Sequence, residues 1–185
     1  MDVRTSRLSP VRWLGLVAAV VLTLIVPLGS SSAVAATPRV GFGFSAGDVS
    51  GFPTGSVSLT GGGAFDLDTS TIHAGGGFSC THEVDQLFLA GCLQGQGVRW
   101  DTDTVLPSTL FKCTGSVGEA AKTATSGSDT VVMQADFYRA GDANDESFTA
   151  QMIVSTRDIA GDIQGIQNVW VQGVGCGAAT VHFGR

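Results

Sequence analysis

Two short stretches place a nucleophile or metal ligands at spacings that enzymes use. Gly43-Phe44-Ser45-Ala46-Gly47 matches G-x-S-x-G, in which a sharp strand-to-helix turn exposes a serine nucleophile. No helical pattern follows Ser45, so a small turn in a glycine-rich strand accounts better for it. His82-Glu83 opens like H-E-x-x-H, but Gln86 stands where the second zinc-binding histidine belongs. His73 alternates with Ile72 and Ala74, and His182 with Val181 and Phe183, which puts both on the polar face of a strand.

Carboxylates gather at two points. Asp142, Asn144, Asp145 and Glu146 crowd oxygen ligands into one turn and form a calcium candidate, although the EF-hand glycine and the twelfth-position glutamate are missing. A solvated acidic hairpin tip explains the same residues. Asp101 and Asp103, next to Trp100, form a second acidic spot, and paired carboxylates do acid and base work on sugars when a cleft fixes their separation, with exposed loop charges as the competing explanation. Trp100, Tyr138, Trp170 and His73 are the candidates for a ligand pocket, with core packing as the competing explanation for the tryptophans. In Asn168-Val169-Trp170-Val171-Gln172 both faces are apolar, so that strand is covered on each side or meets a ligand. No cofactor-binding motif stands out: Gly173-Val174-Gly175-Cys176-Gly177 has no helix pattern after it with which to hold a dinucleotide.

The elements that must position these groups read as strands. Val131, Met133, Ala135 and Phe137 alternate with Val132, Gln134, Asp136 and Tyr138 over Thr130 to Arg139. Phe148, Ala150, Met152 and Val154 are spaced at period two over Ser147 to Ser155, with Ser147, Thr149 and Gln151 on the other face. Period two predicts half-buried antiparallel strands, and the turn formers from Gly141 to Glu146 predict a hairpin between them. Further strands are predicted at Val40–Phe44, Ser56–Leu59, Ala64–Leu67, Thr71–Cys80, Thr109–Cys113, Asn168–Gln172 and Ala179–Phe183. Gly61-Gly62-Gly63 and Thr123 to Asp129 read as hairpin loops. Eight or nine short strands predict an all-β fold, a small antiparallel β-barrel with a two-sheet β-sandwich as the alternative. Glycines inside the strands favour the barrel, whose sheet must bend sharply.

Residues 1–36 carry a different signature. Arg4, Arg7 and Arg12 precede an apolar run from Leu14 to Val26, and small residues follow at Ala33-Val34-Ala35-Ala36. This pattern predicts a helical signal peptide cleaved near Ala35 or Ala36, leaving one secreted domain over 37–185. The run stops at Pro27 and is short against the roughly 20 residues of a spanning helix, so no stable membrane association is expected after cleavage.

The whole chain has 10 basic and 16 acidic residues, a net charge of −6. Residues 1–36 hold three of the former and one of the latter, so the remainder carries seven and fifteen, a net charge of −8. With no basic stripe, nucleic acid is not an expected partner.

Cys80, Cys92, Cys113 and Cys176 all lie in the exported part and read as two disulfides, since no C-x-x-C pair suggests zinc. Four cysteines allow three pairings. The short, turn-rich segment favours Cys80 with Cys92, which leaves Cys113 with Cys176.

Val57-Ser58-Leu59-Thr60-Gly61-Gly62-Gly63-Ala64-Phe65-Asp66, His73-Ala74-Gly75-Gly76-Gly77-Phe78 and Gln167 to Gly177 together resemble segments of uncharacterised exported proteins of actinobacteria. The resemblance implies a bacterial extracellular β protein and brings no catalytic residues. The function expected from the sequence is a binding module for a small ligand, a glycan or a protein partner. The alternatives are a small extracellular hydrolase or isomerase using His73 or Asp101 and Asp103, and a secreted protease inhibitor presenting the Cys80–Cys92 loop.

Overall fold

The structure, a computed structural model, describes residues 39–52, 54–140 and 147–184, so the signal sequence expected over 1–36 lies outside the described residues. The described chain is all-β. Its strands are β1 (Val40–Gly51), β2 (Ser56–Asp66), β3 (Thr71–His82), β4 (Arg99–Leu106), β5 (Ser108–Phe111), β6 (Lys122–Thr125), β7 (Thr130–Tyr138), β8 (Phe148–Ser155), β9 (Val169–Val171), β10 (Gly175–Gly177) and β11 (Ala179–Gly184). A short 3₁₀ turn at Leu87–Leu89 is the one helical element among the described residues.

Nine strands form a single antiparallel sheet in the order β10-β9-β8-β7-β4-β3-β2-β1-β11, and β10 also pairs with β1. The sheet therefore runs round on itself as a ring. β10 and β11 lie end to end along β1, which reaches from Gly41 opposite Gly184 to Gly51 opposite Gly175. β5 and β6 pair only with each other and make a separate two-stranded flap.

The alternation in β7 and β8 sorts into the two sides of the ring. Val131, Met133, Ala135, Phe137, Phe148, Ala150, Met152 and Val154 point into the main core with Phe42, Phe44, Phe65, Phe78 and Trp100. Val132, Ile153 and Trp170 face outward and are covered by Phe111 and Ala124 of the flap, together with Cys113 and Cys176. Covering both faces removes apolar area from water twice over, which is why these strands tolerate Val131-Val132-Met133 and Val169-Trp170-Val171 without a polar partner.

Two loop expectations are corrected. Gly61-Gly62-Gly63 is the middle of β2, which joins the two segments expected on either side of it into one strand, and of the loop expected over Thr123 to Asp129 the first three residues belong to β6, leaving 126–129 as the connection to β7. Glycine at 61 serves packing and not a turn: a Cβ there would sit 2.5 Å from Cζ2 of Trp100. Strand β4 is missed by sequence reading because Asp101, Thr102, Asp103 and Thr104 separate Trp100 from the apolar pair Val105 and Leu106.

The disulfides are Cys80–Cys92 and Cys113–Cys176, spanning 12 and 63 residues, as the spacing favours. The first ties the segment after β3 into a tight loop, where Val84 and Cys92 form an isolated bridge. The second fastens the chain after β5 to β10, and so holds the flap down beside the point where β10 meets β1.

Candidate functional site

One row of the sheet's outer face explains where the polar groups collect. Register places His182 of β11 opposite Gly43, Gly43 opposite Gly62, Gly62 opposite Gly75, Gly75 opposite Asp101, Asp101 opposite Asp136 and Asp136 opposite Thr149. Glycines on β1, β2 and β3 contribute no side chain, while β4 and β7 contribute two facing carboxylates. The step between them makes a cleft of about 410 Å³ lined by His73, Ala74, Asp101, Thr102, Asp103, Asp136 and Tyr138.

Asp103, two residues on from Asp101, joins this cleft from the same face, and the β4 ladder is irregular around it. Pairing to β7 shifts between Asp101 and Thr104, and pairing to β3 shifts between Thr71 and Ala74. Such a bulge re-aims side chains that strict alternation would space regularly. Thr102 anchors it: its buried hydroxyl donates to the Gln134 carbonyl and accepts from the Thr104 N–H at 3.1 Å.

The cleft's groups are held by one another. Asp101 Oδ2 accepts from Arg99 Nη1 at 2.6 Å, and its Oδ1 accepts from the Tyr138 hydroxyl at 3.3 Å. The Arg99 guanidinium lies 3.9 Å from the centre of the Tyr138 ring, so one cation spans both partners. Partial burial, together with the Asp101 carboxylate, pushes the Tyr138 hydroxyl above its ordinary range and keeps it a donor. Asp136 Oδ1 accepts from the Thr149 hydroxyl at 3.1 Å, and Asp103 Oδ1 from that of Thr104 at 3.0 Å. Carboxylates fixed in this way offer acceptors at set positions.

Of the four residues expected to bind a ligand, His73 and Tyr138 meet in this cleft, while Trp100 and Trp170 do not. Trp100 is 1 % exposed on the inner face, its ring 5.9 Å from that of Phe44 and its indole N–H on the Thr60 carbonyl at 3.1 Å. Trp170 is buried under the flap, 5.6 Å from the Phe111 ring, and donates to the Lys112 carbonyl at 2.9 Å. Packing explains both. Ser45 lies mid-strand between Thr60 and Thr180, without the turn an elbow needs. His82 accepts or donates at Nδ1 with Ser56 Oγ, 2.7 Å away. The calcium candidate, Asp142, Asn144, Asp145 and Glu146, lies outside the described residues. Among the described residues no group of three or more histidines, cysteines and carboxylates is placed to hold a metal ion.

Two features escape sequence reading. Asp136 reads only as the polar side of β7, and the β4–β7 register is what brings it to Asp101. The second is an apolar groove of about 240 Å³ between the Cys80–Cys92 loop and the flap, lined by Phe52, Leu87, Phe88, Leu110, Phe111, Lys112, Ala121, Trp170, Gln172 and Gly173. Leu87, Phe88 and Leu110 are 55, 48 and 69 % exposed there, and Leu87 is held at φ 63°, a region that leucine seldom adopts. The signal in the sequence is Leu87-Phe88-Leu89 inside a disulfide loop, where only Leu89 is needed for the core.

Comparison with known proteins finds no matching family model, no matching curated protein and no matching solved structure.

Proposed function

We propose that the protein is a secreted, disulfide-stapled β-barrel binding module, and that the cleft at His73, Asp101, Asp103, Asp136 and Tyr138 takes a hydroxyl-rich ligand, a glycan. The observation that carries this reading is the row in which Asp101 and Asp136 face one another beside the side-chain-free floor at Gly75. Sugar hydroxyls are donors that match fixed carboxylate acceptors, and a glycine floor lets a ring approach the sheet closely. Phosphorylated or sulfated ligands would meet three carboxylates and are disfavoured.

Titration of the oxidised protein against a panel of neutral and amino-bearing oligosaccharides tests the reading. Asp101→Asn and Tyr138→Phe are each expected to weaken binding about 5- to 30-fold, the equivalent of one or two hydrogen bonds, with little change in thermal stability because the Arg99–Asp101 pair is exposed. Absence of binding across the panel, or binding that neither substitution alters, would rule the cleft out.

The exposed pair Leu87 and Phe88 favours a second reading, contact with a secreted protease. Their loop is braced by Cys80–Cys92, by the Val84 N–H on the Cys92 carbonyl at 2.9 Å and by the Gly91 N–H on the Val84 carbonyl at 2.8 Å. Rigid loops of this kind bind with little ordering cost. Residual activity of a panel of serine proteases checks it, with inhibition expected to fall at least tenfold in Phe88→Ala. Undiminished protease activity at every inhibitor concentration would exclude this role.

A further inference from the structure

The ring is paired unevenly around β11. On one side β11 bonds to β1 from Ala179 to Gly184, whereas on the other side the neighbouring strand β9 reaches only β10. The direction of the leftover groups follows from one contact. In an antiparallel ladder the N–H and C=O of a residue point the same way and alternate along the strand. Ala179 donates its N–H to Asn168 Oδ1 at 2.7 Å and accepts at its carbonyl from Asn168 Nδ2 at 3.0 Å, so its backbone groups point away from β1. Those of Val181 and Phe183 point the same way. Thr180 and His182 supply the bonds to β1.

Asn168 satisfies this edge at Ala179, and no described residue satisfies it at Val181 or Phe183. Edge strands are ordinarily protected by charge, proline or a bulge, and Ala179-Thr180-Val181-His182-Phe183-Gly184 has no lysine, carboxylate or proline and pairs with β1 without a shift. Val181 and Phe183 are half-buried against the main core, and the Phe183 ring lies 5.8 Å from that of Phe42.

We propose that this edge docks a second copy of the same chain, β11 to β11 and antiparallel, about a twofold axis at His182. In that register Val181 faces Phe183 of the second copy on the inner side, and Thr180 faces Gly184. All four outward groups of Val181 and Phe183 gain partners in each copy, and the Asn168 contact is left intact. A register centred on Val181 would instead need the groups of Ala179 that Asn168 already holds. A chain with a net charge of −6 resists close approach of its copies over most of its surface, and β11 offers a seam with no acidic residue. An oppositely charged peptide would find nothing on this strand to select it. The proposal is independent of the glycan cleft.

Sedimentation velocity of the oxidised protein tests it across a concentration series into the high micromolar range. A monomer–dimer equilibrium is expected. Val181→Pro deletes an N–H that points away from β1, so it should leave the β1 ladder paired. By symmetry it removes two intermolecular bonds and should weaken association about tenfold or more. Hydrogen exchange on the unaltered protein supplies the second readout, with amide protection at Val181 and Phe183 rising with protein concentration. A monomer at every concentration overturns the proposal, as does a dimer in which those two amides gain no protection, whether or not Val181→Pro folds.

Discussion

Replacing Cys113 and Cys176 together by alanine lowers stability by about 4 kcal/mol, whereas replacing Cys80 and Cys92 costs about 3 kcal/mol. The ordering follows from the loops that each bond closes, 63 residues against 12, because the entropy withheld from the unfolded chain grows with the logarithm of loop length. Location acts in the same direction. Cys113–Cys176 pins the flap over Val132, Ile153 and Trp170, so its loss also loosens the cover on the outer face of β7, β8 and β9. Loss of Cys80–Cys92 frees a surface loop that backbone bonds between Val84 and Cys92 still hold. Urea unfolding of the two double variants measures the difference. Trp170 fluorescence should shift to the red in the Cys113/Cys176 variant before global unfolding. Equal midpoints, or a larger loss for the short loop, would refute the ranking.

That flap shows where local sequence patterns stop being informative. Strict alternation made β7 and β8 legible, because one face of each lies in the main core and period two records that directly. Apolar residues on both faces of Val169-Trp170-Val171 left a doubly covered strand and a ligand-facing one both open, and carried no sign of what the cover is. The cover is supplied by β5 and β6, 58 residues away along the hydrogen bond from Trp170 to Lys112, and tertiary pairing of this kind leaves no local trace. Glycine was misleading for the same reason. Gly61-Gly62-Gly63 carries a turn signal by composition, yet pairing with β1 and β3 on both sides holds it extended, and the space that Gly61 vacates is filled by Trp100.

The cleft was half legible. His73 and Tyr138 could be assigned to polar faces of their strands, and Asp101 and Asp103 could be noticed as a pair. What makes them a site is register, together with a bulge at Thr102 that no propensity records. The tryptophans failed as site candidates on a matter of sides. Trp100 points inward from the residue before Asp101, so the residue that draws attention to β4 lies on the opposite face from the groups that line the cleft.

The second large effect is at Glu119, a residue with no motif around it. Its carboxylate accepts from the N–H groups of Cys113, Thr114 and Gly115 at 2.7, 2.8 and 3.0 Å, from the Thr114 hydroxyl at 2.7 Å and from Lys122 Nζ at 3.0 Å. Burial alone would raise its pKa, but these donors outweigh it and bring the group from 4.5 to about 2. Lys122, which burial alone would lower, is held above its ordinary range by Asp162 and Glu119. The lock therefore clamps the loop that leads from Cys113 to the second strand of the flap.

A group whose folded pKa is depressed contributes stability that is complete above its unfolded value and is lost as pH falls through the folded one. For Glu119 the window runs from about 4.5 down to about 2, and the contribution above it is about 3 kcal/mol. Glu119→Gln keeps the shape but places amide hydrogens against backbone donors, so it should lose about 2–3 kcal/mol at pH 7. Near pH 2 the carboxyl is protonated in the unfolded chain and about half protonated in the folded one, so most of the gap between parent and variant should close. Parallel chemical unfolding curves at pH 7, 4 and 2.5 measure this convergence. A gap that stayed constant over that range would show that Glu119 acts through packing and not through its charge.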